Sequence, residues 1–302
     1  MKSQSVGIEI EMTCITRAKA ASVIAKYLHG TIEKTCDSYD THKIIAPDCR
    51  TWKIVSDASI KTMKKQDGEL VSASGLYSVE LVSPILNYDN DIETLQEIIR
   101  LLRKAGAVSE SYLQCGIHIH IGAQNHTPNT LKNLINLMAS KEDLIYKSLE
   151  VDPVRMRYCQ KVNEDLIETI NKKKPQTLSQ LADLWYSGYS RESRERHYHS
   201  SRYHGINYHS IFTNGTIEFR FFNGCLHAGK IRSWIVFCMA VSHQALTQKS
   251  ASAKRTHTDN EKYTFRCWLL RLGMIGDEFK NCREHLMASL SGNSAWKTLR
   301  AA

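Results

Sequence analysis

The sequence predicts an α+β fold in which an antiparallel sheet carries helices on one face, and three observations lead there. First, four segments alternate apolar with charged residues at the two-residue period of a half-buried strand. They centre on Glu9, Glu80, His118 and Glu218. Second, the stretches between them repeat apolar residues at helical spacing, as in Ile92, Leu95, Ile98, Ile99 and Leu102. Third, 302 residues of which 42% are hydrophobic can bury a substantial core, and no internal repeat or heptad pattern suggests another architecture. One catalytic domain over residues 1–302 is the simplest organisation, with 225–302 as mainly helical support.

Taken in order, residues 5–12 read as a strand because Val6, Ile8 and Ile10 alternate with Glu9 and Glu11. Residues 18–28 read as a helix. Short strands and turns follow from 48 to 84, the best strands being 51–57 and 77–84, with a turn at Gln66-Asp67-Gly68-Glu69. A helix at 90–105 precedes the strand Cys115-Gly116-Ile117-His118-Ile119-His120-Ile121-Gly122, and Thr127-Pro128 opens another helix. Residues 153–187 look helical with a break near Pro175, and 191–202 is a polar loop. Strands at 205–213 and 216–223 are expected to join through Asn214-Gly215, a hairpin signal. Helices fill most of 228–290 outside the polar stretch 249–259.

Composition narrows the function classes. The run around 234–246 is too short and too interrupted to span a bilayer, and the first residues show no secretory pattern, so a soluble cytoplasmic protein with no membrane partner is expected. The nine cysteines are scattered and never form CxxC, which favours reduced thiols over disulfides. A formal charge of +9 favours anionic partners, from nucleotides to nucleic acid.

Alternation groups Glu9 with Glu11, His118 with His120, and Glu218 with Arg220, each pair opposite an apolar set, while Glu80 stands between Val79 and Leu81. If the four strands share a sheet, one face collects all seven side chains. Four carboxylates together repel one another unless cations lie between them, and clustered oxygen donors suit Mg²⁺ or Mn²⁺. The pattern therefore predicts a metal–nucleotide site. Structural zinc on His118 and His120 is disfavoured because no HExxH or cysteine pair completes the set. Cys115 reads as a buried thiol rather than a nucleophile.

Six segments carry a family resemblance. They are Gly7-Ile8-Glu9-Ile10-Glu11, the run from Trp52 through Asp57 to Ile60, Glu80-Leu81-Val82-Ser83-Pro84-Ile85, the Cys115 to Gly122 strand, the run from Arg202 through Asn207 to Tyr208, and the run from Thr216 through Glu218 and Arg220 to Gly224. In this order they resemble the amidoligase family within the superfamily of glutamine synthetase and glutamate–cysteine ligase. The resemblance implies a curved sheet whose concave face binds ATP with Mg²⁺ or Mn²⁺. It also implies a reaction in which ATP phosphorylates a small-molecule or peptide carboxylate and an amine displaces the phosphate. By this resemblance Glu9, Glu11, Glu80 and Glu218 are metal carboxylates, and His118 stands near metal and ATP with His120 beside it. Arg220 and Arg202 face phosphate, Glu218 and Arg220 act in catalysis, and Asp57 and Asn207 orient substrate. Ala58 replaces a glycine common in the family, which puts the turn after Asp57 in question. Trp52 suits either a core anchor or a substrate contact.

Two other readings compete: a small-molecule kinase on the same fold, and a basic nucleic-acid-binding protein using Lys172-Lys173-Lys174 and residues 191–204. The second is less favoured because no nucleic-acid motif accompanies those charges. Ring-forming relatives leave a homo-oligomer open.

Overall fold

The computed structural model describes residues 1–189 and 191–297. In chain order its elements are β1 (Ser5–Met12), α1 (Arg17–Leu28), β2 (Thr31–Lys34), β3 (His42–Ile45), β4 (Thr51–Val55), β5 (Met63–Gln66), β6 (Glu69–Ser72), β7 (Val79–Val82), β8 (Leu86–Asn87), α2 (Tyr88–Lys104), β9 (Gly116–Gly122), α3 (Pro128–Ser148), α4 (Glu164–Lys173), α5 (Leu178–Trp185), β10 (Ile206–Asn207), α6 (His209–Asn214), β11 (Thr216–Asn223), α7 (Ala228–Thr247), α8 (Glu261–Arg271) and α9 (Lys280–Met287). The α+β reading is borne out. Nine strands form one sheet in the order β10-β11-β9-β1-β7-β4-β3-β2, with β8 pairing to β1, and every pair is antiparallel. The turn at Asp67-Gly68 closes a separate hairpin of β5 and β6.

Helix boundaries follow local chemistry. Thr16 caps α1 by accepting from the Lys19 amide, and Thr127 with Thr130 forms a reciprocal cap on α3, whose first residue is Pro128. Lys174 ends α4 in the left-handed conformation just before Pro175, which accounts for the break expected there. Asn163 and Thr177 cap α4 and α5, and residues 153–163 hold only a short 3-10 turn, Pro153–Arg155, rather than continuous helix.

One expectation fails. Asn214-Gly215 does not turn a hairpin between two long strands; the first strand is only Ile206–Asn207, and residues 209–214 form α6. Gly215, at φ 68°, is the C-cap of α6, its N–H donating to the Ser210 carbonyl. The same positive φ serves a hairpin turn and a helix end equally well, so the dipeptide alone cannot choose between them. Strands β2 and β3 were not anticipated. All four residues of β2 are exposed, so burial imprints no alternation on them.

One face of the sheet is apolar. Ile8, Ile10, Leu81, Ile117, Ile119, Ile121, Ile217 and Phe219 are all buried there, in the core cluster that also takes in α1, α2, α3 and α7. Trp52, 2% exposed, belongs to this core. No helix among the described residues is long and apolar enough to cross a membrane.

Candidate active site

Pairing across the sheet lines the opposite face with charged residues in short rows. Asn207 lies beside Glu218, which lies beside His120; His118 lies beside Glu9; and Glu11 lies beside Glu80. His118 Nδ1 is 2.9 Å from Glu9 Oε2 and 3.8 Å from Glu218 Oε1, while its Nε2 is 3.9 Å from Glu11 Oε1. His120 Nε2 lies 3.5 Å from Glu9 Oε1, and its Nδ1 is 2.9 Å from Thr216 Oγ1. The Arg220 guanidinium donates to Glu218, whose other oxygen accepts from Asn207 Nδ2 at 2.5 Å.

Above these rows opens a cavity of about 630 Å³. Glu9, Glu11, Asp57, Glu80, His118, Arg202 and Arg220 all line it. Glu218, His120 and Asn207 do not; they form the layer beneath. Asn207 is 2% exposed and holds Glu218 in orientation. Asp57 Oδ1 accepts from the amide and hydroxyl of Ser59, an Asx turn that fixes the carboxylate. Ala58 does not enter the positive-φ region, so the missing glycine imposes no strain there.

The electrostatics separate the carboxylates. Burial pushes Glu11 up to about 7, partly offset by the charge of Arg155 and by the Gly116 amide, which donates to it at 2.6 Å. Burial, together with the charges of Glu9 and Glu11, raises Glu80 well above the ordinary carboxylate range. Burial acts on Glu9 and Glu218 too, but is outweighed: the histidine hydrogen bonds hold Glu9 well below its usual value, and Arg220 with the histidines holds Glu218 at about 2. His118 is lowered to about 4 by burial and by Arg220, so its ring is neutral at physiological pH.

Three overlapping sets of side chains bring donor atoms within 4.8 Å of one another: Glu9, His120 and Glu218; Glu9, Glu80 and His118; Glu11, Asp57 and Glu80. Glu9 and Glu80 each belong to two sets, so the sets form a continuous band across four strands. Carboxylate oxygens with an occasional imidazole are the donors that Mg²⁺ and Mn²⁺ accept. His120 Nε2 is buried and makes no well-formed hydrogen bond, its neighbour in the band being Glu9 Oε1 at 3.5 Å. The thiol of Cys115 is fully buried and pushed up to about 12, which leaves it unreactive.

A family model described as "Putative amidoligase enzyme" matches residues 2–242. The chain belongs to the amidoligase family. No curated protein matches the chain. The matched region runs from before β1 into α7 and so includes every strand that supplies the rows.

Several lining residues of this amidoligase were not singled out from sequence. Lys53 projects from β4 between the buried Trp52 and Ile54, and strand alternation could have found it. Tyr39 and Tyr198 come from loops far apart in sequence, both line the cavity, and their hydroxyls lie 3.2 Å apart. His197, Tyr198, Arg202 and Tyr203 line the cavity, so part of the basic 191–204 segment is a wall of the site. Arg155, from the 3-10 turn after α3, also lines the cavity. No sequence period points to it. All nine cysteines are free thiols, four of them buried.

Proposed function

We propose that this amidoligase is an ATP- and divalent-cation-dependent carboxylate–amine ligase. The observation that carries the reading is the band of Glu9, Glu11, Glu80 and His118, which lines one cavity bordered by Arg220, with Glu218 in the layer beneath. The donor chemistry fits Mg²⁺ or Mn²⁺, and the buried Nε2 of His120, lacking a well-formed hydrogen bond, is a donor such a cation could use together with Glu9 and Glu218. When bound, metal–ATP would supply the phosphoryl group that activates a carboxylate for attack by an amine.

The chain's own residues would do the rest. Glu9, Glu11 and Glu80 would hold cations against the cavity, with Asp57 completing the set beside Glu11. Glu218 would serve two ends, joining the innermost set and fixing Arg220, and Asn207 would keep it turned that way. Arg220 and Arg202 would stabilise negative charge developing on transferred oxygens. His118, uncharged, offers a lone pair rather than another positive charge. Carboxylate and amine substrates would be enclosed by Tyr39, Tyr198 and the 191–204 wall, which excludes water from the activated carboxylate.

Calorimetry with Mg²⁺ and a non-hydrolysable ATP analogue, followed by phosphate release over a panel of carboxylates and amines, tests this. The parent is expected to bind the nucleotide and Glu9→Gln or Glu80→Gln to lose at least about 100-fold in turnover. Unchanged behaviour of both variants would sink the reading. Mass spectrometry of products separates amide from phosphorylated substrate and so decides between ligase and kinase.

A further inference from the structure

Three arginines among the described residues are at least nine-tenths buried: Arg17, Arg155 and Arg220. Arg17 is paired with Asp40 at 2.7 Å, and Arg220 with Glu218. Arg155, 3% exposed, makes no direct ion pair with a carboxylate among the described residues, although the charge of Glu11 acts on it from beyond contact distance. Among the described residues its guanidinium makes one hydrogen bond, from Nη2 to the Arg220 carbonyl at 3.0 Å, and its Nε has no hydrogen-bond partner. A buried guanidinium is ordinarily paired, because leaving it unpaired is costly.

The protein makes room for this unpaired charge. Gly116 occupies the polar-face position of β9 two residues before His118, and a Cβ added there would fall inside the Arg155 guanidinium. The missing side chain is therefore the slot in which Arg155 lies, between the sheet and the cavity it lines. Resting on the ligase reading above, we propose that Arg155 is an oxyanion-binding residue of the reaction site, seated in the Gly116 slot. Its fork receives oxygens of a phosphoryl or carboxylate group that enters the cavity. Arg220, already held by Glu218, has less donor capacity to offer than Arg155.

The test titrates the full chain with two probes: Mg²⁺ with a non-hydrolysable ATP analogue, and inorganic phosphate both with and without saturating Mg-ADP. Arg155→Gln is expected to weaken at least one titration about 10-fold or more, with Arg155→Lys only partly restoring it because an ammonium lacks the fork. Gly116→Ala should reproduce the loss by ejecting the guanidinium, and its effect should not add to that of Arg155→Gln in the double variant. Loss confined to the analogue assigns the fork to the nucleotide; loss confined to phosphate assigns it to the transferred or acceptor group. Unchanged affinities for a folded Arg155→Gln protein overturn the proposal, as does full additivity in the double variant. Should Arg155→Gln fail to fold, Arg155→Lys and Gly116→Ala carry the same comparison. A parent that binds phosphate through Arg155 but no nucleotide would sink the ligase reading and leave this one standing. A parent that binds neither probe would sink both.

Discussion

The two faces of the central sheet are built from the same strands and follow opposite rules. On one face Ile8, Ile10, Ile117, Ile119 and Phe219 pack without exposed surface. On the other, separated by the thickness of a backbone, Glu9, Glu11, Glu80 and Glu218 crowd around two histidines and Arg220. The first face gains stability from each methylene removed from water. The second gathers like charges in a buried setting, which costs stability that only pairing, protonation or a bound cation offsets. The difference teaches that fold and chemistry here are separable by side-chain parity, with one face holding the protein together and the other straining it.

That contrast can be broken at its sharpest point by Arg220→Ala, which leaves Glu218 buried without its cation. We expect about 3–5 kcal/mol of lost stability in urea unfolding. A loss under about 1 kcal/mol would mean that Arg220 does not neutralise the polar face. On the apolar side, Ile119→Ala should cost about 2–5 kcal/mol. In the folded fraction, nucleotide affinity should stay at the parental level, and a shift there would show that the faces are not separable.

The smallest effect is the most diagnostic. Unfolded Glu11 and Glu80 release their protons near 4.5, whereas in the fold Glu11 keeps its own to about 7 and Glu80 beyond its ordinary range. The unfolded chain then binds fewer protons, so their contribution to stability falls as pH rises. His118 runs the other way: held at about 4 in the fold against 6.5 when unfolded, it adds stability as pH rises, and that gain is complete near 6.5. Above that point the carboxylate slope remains, joined by His120, whose pKa is raised in the fold and whose contribution therefore also falls as pH rises. Metal-free protein should lose about 1–3 kcal/mol between pH 6.5 and 8.5, and Glu80→Gln should flatten the curve. Millimolar Mg²⁺ should do the same, because it replaces the protons with a cation. Thermal melts across that range check the sign; a metal-free protein that gains stability on alkalinisation would contradict it.

How much of this was legible in the sequence depends on whether a residue sits on a periodic element. Glu9, Glu11, His118, His120 and Glu218 are readable because alternation ties each to a buried apolar residue on either side. Lys53 obeys the same rule. Tyr39, Arg155 and Tyr198 reach the cavity from loops and a 3-10 turn, where neighbouring positions carry no face. Strand order is also absent from any local pattern. That β9 lies between β11 and β1 is a consequence of long-range pairing, and the exposed β2 edge has too little burial to mark its sequence. Gly215 shows the remaining difficulty: one dihedral angle serves two motifs, and the packing of residues 209–214 decides between them.

Between Phe219 and Phe222 the register of β11 shifts, so that Arg220 and Phe221 stand opposite the single residue His118 of β9. The strand is thus read in two frames. In the first, even-numbered positions face the chemistry; after the bulge, Phe222 pairs with Ile117, is fully buried, and stacks on Trp234 of α7 with ring centroids 5.0 Å apart. One extra residue therefore writes a full stop after Arg220: the strand continues, but as scaffold. A one-residue deletion within Arg220-Phe221 would remove the bulge and restore plain alternation, keeping Phe222 opposite Ile117 and changing only what stands opposite His118.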